Sequence, residues 1–305
     1  MAEYAVKCAV DQAIQLSAEE QARLEAAFFV DYIDIHSVPE GQLASYQAFL
    51  IHSRILTKQL ERFTQCRYIG VRAHNTDYVN GELARQLGIA VRGIPQEGAN
   101  AVAEHAFALL FAVTKQLSAA SHNVQAGKWR EGLVPNLELR GKTLGIIGYG
   151  TIGQEVAAIG AALGMKPLIA SGRGGAATSL DGRLSVEDVL RQADMVTLHA
   201  STQAGGAPLI GSRELAMMKD GAILINTARG SLVHEKELAE ALRSGKLYGA
   251  GLDVYEDEPV RDSLLCELPN VVCTPHVAYF TRETIARMNG NLIDRAIAFF
   301  EQNFK

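Results

Sequence analysis

One short block limits the fold of this chain more than any other stretch. Thr143-Leu-Gly-Ile-Ile147 reads as a buried strand and runs directly into Gly148-Tyr-Gly150-Thr-Ile-Gly153, after which Gln154 to Leu163 has helical spacing. A bare G-x-G-x-x-G is weak, because glycines recur by chance. Between a strand and a helix, inside a βαβ unit of about 30 residues, each glycine has a task. Gly148 makes the tight turn, Gly150 lets a pyrophosphate approach the backbone, and Gly153 lets helix and strand pack closely. The pyrophosphate then lies on the positive helix N-terminus, beside Thr151 and Ile152. Such a unit binds a dinucleotide.

The strand that completes the unit, 166–170, should end in an acidic residue for the adenosine ribose hydroxyls, about 18 to 20 residues past the last glycine. The chain instead reads Leu168-Ile-Ala-Ser171-Gly-Arg173, and the next acid is Asp181. A serine hydroxyl and a planar cation stand where a 2′-phosphate would lie, which predicts NADP as the preferred cofactor with NAD still usable. Arg183 is the reserve phosphate ligand.

The block lies mid-chain, so a second unit must precede it. With 305 residues the chain has room for about two domains. Short apolar strand candidates at 5–10, 30–35, 48–52, 68–72 and 89–91 alternate with helical stretches at 17–28, 56–63 and 81–87. Ser17-Ala-Glu-Glu reads as a capping box. Residues 100–126 read as one long helix that is apolar over much of its surface and so needs a partner to cover it. Beyond the glycine block, strands near 195–199, 222–226, 248–252 and 271–274 alternate with helices, and an amphipathic helix spans 283–299. Near-continuous apolar strands separated by helices specify a parallel, doubly wound sheet. The fold class is therefore α/β, with two doubly wound parallel-sheet domains: a Rossmann-type dinucleotide domain over 96–278 and a smaller, flavodoxin-like domain over 1–95 and 279–305.

Composition removes several function classes. The net charge of −5 is a poor basis for binding nucleic acid. The longest apolar run, Ala106 to Val113, is far short of the roughly 20 residues that cross a bilayer. The opening Met-Ala-Glu-Tyr does not resemble a secretory signal. Cys8, Cys66, Cys266 and Cys273 form no C-x-x-C pair and are read as reduced, mostly buried thiols of a cytoplasmic protein. No His, Cys and Asp cluster has metal-ligand spacing, so no metal is expected.

Three polar groups follow the last three strands, at the edge where open α/β sheets bind ligands. Asn226-Thr-Ala-Arg229-Gly230 follows the fourth strand, Asp253-Val-Tyr-Glu-Asp-Glu258-Pro259 the fifth, and Thr274-Pro-His276 the sixth. Arginine clamps a carboxylate in two places at once. Histidine exchanges a proton near neutral pH. A carboxylate bonded to the other ring nitrogen fixes its tautomer.

With these residues in view, segment 142–276 resembles the D-isomer-specific 2-hydroxyacid dehydrogenase family. The matching pieces are Gly141 to Gly153, Asn226 to Gly230, Asp253 to Pro259 and Thr274 to His276. Ala101-Val-Ala-Glu104 and Gly127-Lys-Trp129 upstream are similar too, and the likeness runs from about Arg72 onward. It is closest in character to the NADP-preferring glyoxylate/hydroxypyruvate or 2-keto acid reductases. The resemblance implies hydride transfer between NAD(P)H and a small 2-keto or D-2-hydroxy acid. It implies Arg229, Glu258 and His276 as the catalytic set, and Thr227, Ala228 and Asp253 near the cofactor. It places Ala73, His74 and Asn75 with Arg229 at the substrate, and puts His52 near the same cleft. Asn75 stands where the family usually has glycine, and asparagine tolerates the left-handed backbone such a position asks for. The resemblance also implies a substrate domain built from both chain ends and a homodimer through residues 100–139. The competing expectation is a dinucleotide-sensing, corepressor-like regulator on the same fold.

Overall fold

The computed structural model describes residues 6–170, 182–201 and 206–303. Ser171, Arg173 and Asp181 lie outside the described residues. The chain divides into two units, Met1–Gly98 with Thr281–Lys305, and Ala99–Phe280. In the first unit β1 (Lys7–Asp11), α1 (Ala18–Glu25), β2 (Phe29–Ile33), α2 (Glu40–Leu43), β3 (Ala48–Ile51), α3 (Thr57–Leu60), β4 (Tyr68–Val71), α4 (Gly81–Gln86) and β5 (Ala90–Gly93) follow one another. The second unit holds α5 (Ala99–Thr114), α6 (Leu117–Gln125), β6 (Thr143–Ile147), α7 (Thr151–Ala162), β7 (Lys166–Ala170), α8 (Val186–Gln192) and β8 (Met195–Leu198). It continues through α9 (Ser212–Met217), β9 (Ala222–Asn226), α10 (Glu235–Arg243), β10 (Leu247–Leu252) and β11 (Val271–Cys273), and α11 (Arg282–Asn303) returns to the first unit.

The first sheet is parallel throughout, in the order β2-β1-β3-β4-β5. Its central strands β3 and β4 are buried along their whole length, as strands covered on both faces must be. The capping box forms: Glu20 N–H donates to Ser17 Oγ at 3.3 Å, and Ser17 N–H donates to the Glu20 carboxylate at 2.7 Å. Helix α11 docks tightly because β4 offers it a glycine. A Cβ on Gly70 would lie 2.9 Å from Leu292 and from Leu50. The buried Arg72 at the end of β4 donates to Asn289 on α11 at 3.3 Å, and Asn289 donates in turn to the Gln15 carbonyl at 2.9 Å.

The strand order switches at β1, and the buried Asp11 closes the turns there. Its carboxylate accepts the N–H groups of Ala13, His52 and Ser53 at 3.0, 3.1 and 2.7 Å. One side chain thus ties the loop after β1 to the loop after β3.

The second sheet runs β11-β10-β9-β8-β6-β7, again all parallel. Leu184 adds an isolated parallel bridge beside Ala170, where a further strand would extend the sheet. Helix α5 lies on this sheet at close range. A Cβ on Gly249 would come 2.7 Å from Val113, and one on Gly251 would come 2.8 Å from Leu109.

Two expectations need correction. The long helix expected over 100–126 is two helices, because Gln116 adopts a left-handed backbone with φ 50°. The apolar surface of α5 is covered inside its own unit by β9, β10 and α7, so it needs no outside partner. The exposed apolar groups of this region lie further on, at Leu117, Val124, Val134 and Trp129, the last 70% exposed. The reduced state expected for all four cysteines holds only for the buried Cys8 and Cys66. Cys266 and Cys273 form a disulfide, since the chain turns between them and brings their Cα atoms to 5.8 Å. Among the described residues no helix is long and apolar enough to cross a membrane.

Asp11 generates a stability prediction. Burial works to raise its carboxyl, but the hydrogen bonds from Ala13, Ser53 and His52 outweigh that and hold it below the ordinary range. A carboxyl lowered in the folded state adds stability above its unfolded pKa of about 3.9, and that stability is lost as pH falls through the folded value. Asp11→Asn should therefore lower unfolding stability at pH 7 by about 1–3 kcal/mol. It should also flatten the decline below pH of about 4. Urea unfolding across that pH range checks both, and an unchanged midpoint at pH 7 would refute the anchoring role.

Candidate active site

The six strands of the second sheet stop at one level. Ala170 pairs with Ile147, Ile147 with Leu198, Leu198 with Asn226, Asn226 with Leu252, and Leu252 with Cys273. Every loop that follows a strand therefore starts from the same edge.

At the β6 end stands the glycine turn. Gly148 has φ 99°, and a Cβ there would sit 2.5 Å from the backbone of His199 and Ala200. A Cβ on Gly153 would run into the Gly148 carbonyl, so no side chain is admissible at either position. Gly150 differs: nothing lies within 4 Å of its Cβ direction. It begins α7 with no side-chain cap, and the first turn, with Thr151 and Ile152, carries no acid. Open N–H groups at a helix start beside empty space fit a pyrophosphate. Tyr149 lies in the turn, and the Arg183 guanidinium is 5.6 Å from its ring centre. His199 lies behind it, bonded to the Thr197 hydroxyl at 2.9 Å, and burial pushes its imidazole down to about 4. It is neutral at neutral pH and sits in the scaffold.

At the β9 end the buried Asn226 folds the next turn on itself. Its amide accepts from Ala228 N–H at 3.1 Å and donates to the Arg229 carbonyl at 2.9 Å. Gly230 passes so close to Tyr255 that a Cβ would overlap the Tyr255 carbonyl. Arg229 is left exposed, with one donor on the Ala228 carbonyl at 2.6 Å. Thr227 holds a buried hydroxyl with no hydrogen-bond partner among the described residues, which a polar ligand group would satisfy.

Glu258 and His276 come together. The Glu258 carboxylate lies 2.7 Å from His276 Nδ1, and its second oxygen accepts the Tyr255 N–H at 3.1 Å. A carboxylate only accepts here, so Nδ1 carries the hydrogen and Nε2 is left for another partner. The side chains stay within reach of solvent, His276 at 41% and Glu258 at 36% exposure. Tyr279 stands edge-on to the His276 ring at 6.0 Å. His276 itself has a left-handed backbone, φ 53°. Non-glycine residues held so cost of order 1–3 kcal/mol and cluster at functional sites.

Asp253 stands apart from this exposed set. It is fully buried, at 0% exposure. Its carboxylate accepts the Thr274 hydroxyl at 2.6 Å and the N–H groups of Val277 and Ala278 at 2.9 and 2.8 Å. Burial works to raise its carboxyl, and the bonds from His105, Thr274, Val277 and Ala278 outweigh this and hold it low. The structure makes it an anchor of the His276 loop. Thr274, His105 and Tyr255, whose hydroxyl donates to the Thr274 carbonyl at 3.0 Å, support the site without a signal of their own in the sequence. Their places directly before Pro-His and in the first turns of a helix were the available clues.

In the first unit, Ala73, His74 and Asn75 form the loop after β4. Gly93 allows it to pass, since a Cβ there would lie 2.6 and 2.7 Å from the His74 and Ala73 carbonyls. Asn75 donates to Asp77 at 3.2 Å. It is not left-handed: among the described residues only Gln116 and His276 combine a side chain with positive φ. The loop keeps its course with ordinary backbone angles, so asparagine in place of glycine carries no strain. His52 stacks on Tyr78, ring centres 6.5 Å apart.

Comparison with known proteins agrees with this geometry. Residues 107–278 match the family described as D-isomer specific 2-hydroxyacid dehydrogenase, NAD binding domain. The chain is 38% identical over 263 residues to the glyoxylate reductase of Aeropyrum pernix, covering 82% of this chain and 78% of that one. It is 37% identical over 249 residues to the glycerate dehydrogenase of Methylorubrum extorquens, covering 79% and 78%. A solved structure similar to it is the NADPH-dependent glyoxylate/hydroxypyruvate reductase of Sinorhizobium meliloti in complex with NADP and malonate. That match has a TM-score of 0.83 at 26% identity and covers 97% of this chain and 94% of that one. A parallel sheet with its strand ends level, a glycine turn at one end and an Arg, Glu and His set at the other, joined to these likenesses, makes the chain an oxidoreductase that belongs to the D-isomer-specific 2-hydroxyacid dehydrogenase family.

Proposed function

We propose that this enzyme reduces a small 2-keto acid to the D-2-hydroxy acid with NADPH, and less well with NADH. The observation that carries the proposal is the 2.7 Å contact between Glu258 and His276 Nδ1 at the strand edge, which leaves Nε2 for the substrate. The dinucleotide, when bound, supplies the hydride. His276 delivers the proton from Nε2 to the oxygen that becomes the hydroxyl. Glu258 holds the imidazole in one tautomer and stabilises its charged form. Arg229, which spends one of its five donors on the Ala228 carbonyl among the described residues, clamps the substrate carboxylate. Gly148, Gly150, Thr151, Ile152 and Gly153 receive the pyrophosphate, and Thr227 and Ala228 face the nicotinamide end. Asp253 acts there indirectly, through the loop it holds.

General acid catalysis contributes about 10²- to 10⁴-fold. His276→Ala should therefore lose most of kcat while its affinity for the dinucleotide, read by fluorescence titration, is retained. A near-normal kcat would exclude His276 as the proton donor. Arg229→Ala should chiefly raise KM for the keto acid.

Cofactor choice rests on Ser171 and Arg173, with Arg183 beside Tyr149 as a second cation. A charge-assisted hydrogen bond contributes about 1.5–3 kcal/mol, and each 1.4 kcal/mol is about tenfold. NADPH should be preferred over NADH by roughly 10- to 100-fold in kcat/KM. Arg173→Ala should erode that preference through KM for NADPH, and Ser171→Asp should shift it toward NADH. A wild-type enzyme that favours NADH would overturn this cofactor assignment.

The exposed Leu117, Val124, Trp129 and Val134 support a homodimer through α6 and the loop beyond it. Sedimentation should report a dimer at micromolar concentration, and Trp129→Glu should shift it toward monomer. A wild-type monomer under those conditions would refute the assembly.

A further inference from the structure

His105 lies early on α5 and belongs neither to the glycine turn nor to the Arg229, Glu258 and His276 set. Its Nε2 is 3.0 Å from the Thr274 hydroxyl oxygen and 3.5 Å from the Asp253 carboxylate. The Thr274 hydroxyl has a single hydrogen and gives it to Asp253 at 2.6 Å, since its other acceptor, the Leu252 carbonyl, is 3.5 Å away. The hydroxyl oxygen must then accept, so His105 Nε2 carries the hydrogen it donates. The same carboxylate receives Val277 and Ala278 N–H, the two backbone groups that follow His276. The Asp253 carbonyl receives the His276 N–H at 2.9 Å. A hydrogen-bonded series thus runs from α5 through Thr274 to Asp253, which on its other side accepts the backbone N–H groups of residues 276–278, the first of them with φ 53°.

We infer that His105 is a positioning residue of this enzyme: through the Thr274 hydroxyl it aligns the Asp253 carboxylate that fixes the left-handed backbone of His276. The inference rests on His276 being the proton donor. A histidine that merely filled space on α5 would need no polar partner, and leucine would serve it equally well. A donor at the head of a hydrogen-bond series can be replaced only by another donor.

The test uses the full-length enzyme and steady-state reduction of a keto acid. His105→Leu removes the donor and should lower kcat by up to about tenfold, the effect of roughly one neutral hydrogen bond. The dissociation constant of NADPH should stay within about twofold. The pH profile of kcat/KM should shift, because His276 and Glu258 no longer meet in one geometry. His105→Gln, which keeps a donor, should restore both kcat and the profile. Thr274→Val breaks the series at its middle while keeping the shape, so it carries the same test if His105→Leu does not fold. Where both fold, the double variant should lose no more than the worse single one, as members of one unit do. Near-normal kcat in His105→Leu or Thr274→Val beside an inactive His276→Ala would overturn the positioning role alone. Additive losses, or no rescue by glutamine, would overturn it too. An active His276→Ala would instead remove the catalytic assignment beneath it and the inference with it.

Discussion

Six parallel strands that end at one level are the constraint on which the site depends. Neighbouring strands lie about 4.8 Å apart, so a common ending turns five steps of sheet into one straight rim. The registers that align Ala170, Ile147, Leu198, Asn226, Leu252 and Cys273 decide which residues meet there. A slip of one residue in β10 would turn every side chain of that strand to the other face. Asp253 would then leave the Thr274 hydroxyl and the Val277 and Ala278 amides. The register is held by burial: β8 and β9 are buried at every position, and at Gly249 and Gly251 of β10 the space for a Cβ is taken by α5, the Asn270 carbonyl and Ile225.

Both units solve one problem at the rim in the same way. Loops leaving a parallel sheet carry backbone N–H groups that no strand pairs, and a buried N–H without a partner is costly. In the first unit Asp11 at the end of β1 collects three of them, from its own loop and from the loop after β3. In the second Asp253 collects two from the His276 loop and adds a threonine hydroxyl. Each carboxylate is buried, and each is held below its ordinary range by the bonds it receives despite the burial. A neutral side chain of the same size would leave those donors weakly paired, which explains why a charge is kept in so dry a place.

Much of this was legible in the sequence because it is written in local signals. The glycine turn shows itself through its spacing between a strand and a helix. Arg229, Glu258 and His276 show themselves because each follows an apolar strand within a few residues. Other features have no local signature. A left-handed glutamine at position 116 breaks a helix whose composition continues without interruption. The Cys266–Cys273 pair has a spacing that no common motif uses, and only the turn between them brings the Cα atoms to 5.8 Å. The apolar surface of α5 promised an outside partner, yet two glycines on β10 let the sheet take that place. Asp253 was legible as an important acid, but its burial depends on contacts from residues 105, 274, 277 and 278 that lie far from it along the chain.

Depth separates the groups that hold the strand edge from the groups proposed to act there. Asn226, Asp253 and Gly230 are buried and spend their polar groups or their small size on the backbone. Arg229, Glu258 and His276 reach solvent, as the roles proposed for them require. The strained backbone of His276 lies where the two layers join. Its φ of 53° costs of order 1–3 kcal/mol and persists only where the surroundings leave no alternative. The Asp253 carbonyl takes its N–H, and the Asp253 carboxylate takes the next two. That arrangement holds the loop that carries the imidazole, whose Nδ1 meets Glu258 at 2.7 Å. On the proposed assignment, backbone bonds far below the surface thus contribute to the geometry in which the proton would be transferred.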